Sequence, residues 1–570
     1  MSDHQPPSAG APEYLEYGTG GPIPPDPAPV DGDTPTRKRR RVWWIGGGVV
    51  ALLGVGAGAW AALGFFQQGA QPAEALPSTT VGYLSVDLDP AGGQKIDAFR
   101  TLNKFPAFKD EVGVDSVDEL RHKLGDSFVG GFDCKGLDYD RDIDPWLGDR
   151  MAVAAVMLDD EPQVVGVIQV KDEDAARNGI AQLNACDDSD QDPGFSVHDG
   201  WAVLAESQKV VDQVVDATSD ATLADDATYQ KWTDAVGDAG VVNAYASPDA
   251  GRVLADKVSG LFEGALLGTP AESGFVALEG PPTPGTVTQS ATASGSGGGV
   301  AAAGGDDPFG AALKGFKGGA ATVRFTGDGL ELAVAGDAGT AQASALTGTT
   351  GGRLVSRLPA DTAAALGISL KPGWLDQRLD AVTDGFGGMA GMSSDDLRRE
   401  LRKATGLQTS DIEDLLGSGV AISAGKDIDF EAVENSSDGT GLPIAATVQG
   451  DPDAVGSVLD RIRVRAGDLP LLGSDASDDL IAIGPTEEYR KQVLAGGDLG
   501  GDDTFLGVVP DATHASTVVY VDLDRLEPAI SQVAAGDKEA LDNLTPLRAL
   551  GVSAWNDDGV ARFSLKVSTN

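Results

Sequence analysis

Two cysteines in 570 residues, Cys134 and Cys186, leave no CxxC and no Cys/His cluster, so a structural zinc site or an iron–sulfur centre has no ligand set here. Histidine is nearly as scarce. Of the four, His4 lies in the N-terminal tail, while His122, His198 and His514 stand in polar contexts that suit exposed side chains. Basic residues are also in deficit, 42 against 87 acidic ones, and a formal net charge of -45 repels a phosphate backbone over most of the surface, which argues against nucleic acid as a partner. The acidic excess keeps a large protein soluble, with cation binding as the sharper alternative. At about 150 residues per domain, a chain this long predicts two or three cores once non-globular segments are set aside.

Long apolar runs are absent with one exception. Val42 to Phe66 reads VWWIGGGVVALLGVGAGAWAALGFF without a charge, and about 20 such residues suffice to cross a bilayer as a helix. Arg37, Lys38, Arg39, Arg40 and Arg41 precede it, whereas the other side has no basic residue until Lys95. The positive-inside rule therefore puts the N-terminus in the cytoplasm and the bulk of the chain outside, with the lipid bilayer as a partner through this anchor. A cleavable signal peptide is the rival reading, supported by Ala73-Glu74-Ala75 but weakened by the length of the apolar run and of the polar leader. Gly54 and Gly58 form a GxxxG, a weakly specific helix-pairing spacing. Residues 1–41, rich in Pro and Gly and ending in the basic cluster, read as a disordered cytoplasmic tail.

Beyond the run, one ordered set of elements occurs twice. LPSTTVGYLSVDLDP from Leu76 answers LPADTAAALGISLKPG from Leu358, and DIDPWLGDRMAVAAV from Asp142 answers DIEDLLGSGVAISAG from Asp411. Strand-then-helix units begin at Pro162 and Leu442, and again at Gly200 and Asp479. Each copy closes on a further strand, from Val241 and Thr517, and on a hairpin with a Gly-containing turn, from Ala321 and Gly551. Residues 280–307 lack apolar periodicity and read as a disordered insertion. The expected fold is therefore α+β: one N-terminal transmembrane helix over 42–66, then two duplicated modules, 76–340 and 353–570, with mainly antiparallel sheets and packed helices.

The basic tail, the single apolar run, the duplication and the paired turns Asp142-Ile143-Asp144-Pro145-Trp146-Leu147-Gly148 and Asp411-Ile412-Glu413-Asp414-Leu415-Leu416-Gly417 together resemble actinobacterial membrane-anchored proteins of the domain of unknown function 3352 type. The resemblance covers about Leu76 onward and implies topology and fold; the family brings no catalytic residues to carry over. Module two has Asp414 and Leu415 where module one has Pro145 and Trp146, so a binding site at that turn would belong to module one alone.

Candidate sites divide unevenly. Asp138, Asp140, Asp142, Asp144 and Asp149 are spaced like a calcium loop, but Ile143 stands where the loop needs Gly and Asp149 where it needs Glu. Asp142 and Asp411 read instead as helix caps. Asp187, Asp188, Asp190 and Asp192 form a second acidic loop, read as solvated. Ser423, in AISAG, lacks the first glycine of a nucleophile elbow and reads as strand. No metal, cofactor or catalytic residue is expected, because no acid, base and nucleophile converge in the pattern. A Cys134–Cys186 bridge, closing about 50 residues and constraining the unfolded chain by about 4 kcal/mol, is the expected state of the cysteines; two buried thiols are the alternative. The functional expectation is a non-enzymatic envelope protein, outside the cytoplasm, that binds an envelope protein, a wall component or a small ligand between its modules. A structural scaffold is the second reading and an envelope hydrolase the third.

Overall fold

Alternation of apolar residues with a period of two builds strands whose one side faces a core. In the computed structural model such strands join into one sheet. The structure describes residues 71–87, 93–112, 137–186, 193–253, 315–327, 329–338, 348–383, 393–426, 428, 441–467, 469–533 and 537–570. Module one supplies β1 (Thr80–Asp87), β2 (Leu147–Leu158), β3 (Glu161–Val170), β4 (Gly194–His198), β5 (Trp201–Ala205), β6 (Val242–Ala246), β7 (Gly319–Thr326) and β8 (Gly329–Asp337). Module two supplies β9 (Thr362–Ser369), β10 (Gly419–Gly425), β11 (Ile444–Gln449), β12 (Ser474–Ser477), β13 (Leu480–Ile483), β14 (Thr517–Asp522), β15 (Leu547–Asp557) and β16 (Val560–Thr569).

The order across the sheet is β12-β13-β11-β10-β9-β14-β15-β16-β8-β7-β6-β1-β2-β3-β5-β4. Read outward from the centre, both halves run through the same series, and every neighbouring pair is antiparallel, as in β1 with β2 and β9 with β10. The centre is the pairing of the two last strands, β8 and β16, from Gly329–Ser568 to Asp337–Val560.

This corrects the expected fold. Mostly antiparallel sheet with helices is present, but as a single 16-stranded sheet, not as two sheeted modules that meet across a cleft. Each closing hairpin leaves one row of backbone donors and acceptors unpaired, and pairing those two rows satisfies both. The expected transmembrane helix is not found: among the described residues no helix is long and apolar enough to cross a membrane. The run 42–66, the basic cluster 37–41 and the 280–307 insertion lie outside the described residues.

Helices cover both faces. On one, Val210, Val211 and Val214 of the helix Gln208–Asp220 and Trp232 of the helix Ala227–Val236 pack on Ala154, Val156, Val165 and Tyr83. In module two, Val355, Tyr489 and Phe505 pack on Ala365, Ala421 and Tyr520. On the other face, Ala176 and Ile180 of the helix Glu173–Cys186 pack on Met151 and Val170, and Val455 and Leu459 do the same for Val448 and Ile481. Tight hairpins are closed by residues with positive φ, Asp199–Gly200 between β4 and β5 and Asp558–Gly559 between β15 and β16, the Asp-Gly combination that primed turns require.

Candidate functional site

The two copies differ where β1 meets β2. Asp87 and Arg150 are direct cross-strand partners, and the Arg150 Nε donates to Asp87 Oδ2 at 3.1 Å. Arg150 is 9% exposed, so the pair is largely removed from water. It lines a small cleft of about 20 Å³ with Gln71, Pro72, Ser85, Gly240 and Asn243. Asn243 braces the rim: its Oδ1 accepts from the Gly240 N–H at 2.7 Å and the Thr322 hydroxyl at 2.9 Å, and its Nδ2 donates to the Gly240 carbonyl at 2.8 Å.

Residues two apart on a strand share a face, so Asp87, Ser85 and Tyr83 form a polar column running from the cleft into the core. Tyr83 meets Tyr229 edge-on at 5.9 Å, and Tyr229 meets Tyr245 at 5.1 Å. Burial pushes the Tyr83 hydroxyl well above its ordinary value and Tyr229 up to about 12. These phenols therefore stay protonated at neutral pH and serve as hydrogen-bonding groups, not as bases.

Module two fills the same place differently. Thr80 and Thr362 each donate a hydroxyl to the carbonyl of a proline three residues back, Pro77 and Pro359, at 2.7 Å. This fixes the correspondence along the strands: Tyr83 with Ala365, Ser85 with Gly367, and Asp87 with Ser369. The cross-strand partner of Ser369 is Gly419, which takes the place of Arg150. Over these small residues lies the helix Thr350–Ser356. The Gly351 N–H donates to Ser369 Oγ at 2.8 Å, a Cβ on Gly367 would lie 2.4 Å from the Gly351 carbonyl oxygen, and one on Gly419 would lie 2.7 Å from Thr350 Cγ2. Among the described residues, a helix thus lies over this place in module two, while Gln71 and Pro72 border the charged pair in module one.

Of the acidic positions singled out in the sequence, Asp138, Asp142, Asp144, Asp149 and Asp411 are engaged by their own chain. Asp138 Oδ1 accepts from the Arg141 N–H at 3.0 Å, and Asp142 Oδ2 accepts from the Asp138 N–H at 3.0 Å. The neighbouring Arg141 guanidinium holds the Asp142 carboxyl below its usual range. Asp411 likewise accepts from the Gln408 N–H at 2.8 Å. Asp149 lies 3.6 Å from Lys171, and Asp144 3.5 Å from the Tyr139 hydroxyl. Among the described residues no group of three or more His, Cys, Asp or Glu side chains could hold a metal ion. Ser423 is buried on β10, where its hydroxyl accepts from Tyr489 at 3.2 Å. His198 lies 3.3 Å from Ser196 on the edge strand β4, but the nearby Glu173 is engaged by the Gly200 N–H and by Arg177. His514 stands 3.7 Å from Asp511 at an exposed turn. His122, Cys134, the Cys186 side chain and residues 187–192 lie outside the described residues.

Sequence reading missed Asp87 and Arg150. The signal was a pair of aligned columns: opposite charges in module one where module two has Ser369 and Gly419. No curated protein and no solved structure matches the chain. A family model described as a protein of unknown function (DUF3352) matches residues 45–195, a stretch that carries β1, β2, β3 and the Asp87–Arg150 pair.

Proposed function

We propose that the chain is a non-enzymatic protein of the cell envelope, facing out of the cytoplasm, and that module one binds an envelope partner or ligand at the Asp87–Arg150 cleft. The divergence of the two copies carries this reading. A buried ion pair is costly to desolvate and adds little net stability, so replacing both partners is often neutral or better. Module two demonstrates that the same strands close over Ser369 and Gly419. The charged pair in module one is therefore not demanded by the fold, and recognition is a reason to keep it. The non-enzymatic part rests on the lack of a convergent acid, base and nucleophile in the sequence. The outward placement, and the finer likeness to actinobacterial membrane-anchored proteins, rest on the basic residues 37–41 and the uncharged residues 42–66.

The test compares the purified full-length chain with the double variant D87S/R150G, which copies module two. A ligand that binds only the folded state must raise the unfolding midpoint. Envelope extracts or small-molecule pools should raise the midpoint of the wild type and leave that of the variant unchanged. Equal shifts in both would move the site elsewhere. A scaffolding role is the second reading, favoured by the β8–β16 ladder that makes one continuous body of both modules; it predicts no shift in either protein. Protease added to intact cells should cut within 71–570 and spare the first 36 residues; the reverse pattern would refute the outward placement.

A further inference from the structure

The seam between the modules carries a two-fold relationship. Tyr245 and Tyr520 are equivalent, and their cross-strand partners are Ala320 and Gly551. Those residues in turn face Ala335 and Lys566. Counting along the strands, Ala333 corresponds to Ser564 and Glu331 to Arg562. In the seam Ala333 faces Ser564, its own counterpart, so the pseudo-two-fold axis passes through that pair. Two rows flank it, Arg324–Glu331–Lys566 on one side and Ala335–Arg562–Trp555 on the other.

We infer that this seam is a pseudo-homodimer interface whose charges admit the partner module and reject a second copy of module two. Glu331 is 5% exposed. It accepts from Arg324 Nε at 2.9 Å and from Ser564 Oγ at 3.1 Å, and lies 3.7 Å from Lys566 Nζ. Module two thus places a cation opposite a buried carboxylate of module one. If two β16 strands paired about the same axis, Arg562 of each would stand opposite Lys566 of the other, twice over. Like charges directly opposite one another on a sheet are destabilising, and such repulsion excludes a wrong partner without weakening the right one. Further cross-module contacts run beside the seam: Arg562 donates to the Ala235 carbonyl, Lys104 Nζ to Thr569 Oγ1 at 2.9 Å, and the Ala107 N–H to Asn543 Oδ1 at 3.0 Å.

The experiment uses the full chain with a specific protease sequence inserted between Ala338 and Gly348, cut after folding and weighed by native mass spectrometry. The nicked wild type should remain a complex with one copy of each half, and K566R should behave alike. K566E places a carboxylate opposite Glu331 and, in a self-pair, opposite Arg562. It should weaken the one-to-one complex at least tenfold and let the second half form homodimers. If K566E fails to fold before cutting, K566Q serves: it removes the cation opposite Glu331 and the repulsion from Arg562, so a weaker one-to-one complex and a relaxed exclusion of homodimers are expected. Separation of the nicked wild type into free halves, or an unchanged one-to-one affinity in the charge variants, would overturn the inference.

Discussion

Phe505 meets Tyr520 edge-on, with ring centroids 5.1 Å apart and planes at 74°, in the place where module one sets Tyr229 against Tyr245 at 5.1 Å and 79°. The likeness extends to the caps below the rings. Asp226 accepts from the N–H groups of Thr228 and Tyr229, and Asp502 from those of Thr504 and Phe505. The duplication therefore reaches individual side chains, and a residue in one copy predicts what its counterpart tolerates.

Tyr229→Phe copies module two and should be mild at neutral pH, within about 1 kcal/mol, the usual net worth of one hydrogen bond. Its effect belongs at high pH. The folded value of about 12 lies above that of an unfolded tyrosine, about 10. Its contribution is thus complete below pH 10 and lost as pH rises toward 12. Urea unfolding from pH 8 to 12 should show a shallower alkaline loss in the variant; an identical slope would contradict the assignment.

Arg525 holds two carboxylates, Asp502 at 2.8 Å and Asp522 at 3.1 Å. Burial alone would raise Asp502, but the N–H donors of Phe505 and Thr504 and the Arg525 guanidinium outweigh it and leave the carboxyl below its usual range. A depressed carboxyl contributes stability above its unfolded value, near pH 4, and loses it as pH falls through the lower folded value. Asp502→Asn should flatten the fall in melting temperature below pH 4. Arg525→Ala, which strands both acids, should cost on the order of 2 kcal/mol at neutral pH, discounted for partial exposure.

Trp146 lies against Gly179, where a Cβ would come within 2.3 Å of the indole nitrogen, while that nitrogen donates to the Asp142 carbonyl at 2.6 Å. Module two has Leu415 and Val458 at the corresponding positions, the same volume divided differently. Gly179→Ala should cost about 1–3 kcal/mol by overpacking, and the double variant W146L/G179V should recover most of it. A neutral single variant in chemical denaturation would remove the volume argument.

Much of this architecture was legible in the sequence. Alternation marked β1, β3 and β16, the Leu-Gly turns at Gly148 and Gly417 marked the entries to β2 and β10, and side-by-side segments disclosed the repeat. The seam was not legible, because which free edge meets which depends on strands far apart in the chain. No local pattern distinguishes the Gly329–Asp337 edge from a solvated one. Nor was the cleft, since an aspartate closing one strand and an arginine opening another look like ordinary boundary residues until the register sets Asp87 against Arg150. The acidic turn misled for a related reason: its spacing resembles a metal loop, while its oxygens are taken up by neighbouring N–H groups.

Doubling the chain also bears on aggregation. A lone module would present β8 or β16 as a bare edge of nine or ten residues, the kind of template on which strands of other chains accumulate. Joined, the modules hide both, and the sheet ends instead in β4, of five residues, and β12, of four residues reading Ser-Asp-Ala-Ser. Short rims offer a growing fibril little to copy. The sheet's protection against edge-to-edge growth is in that sense topological, set by where the edges of β8 and β16 go.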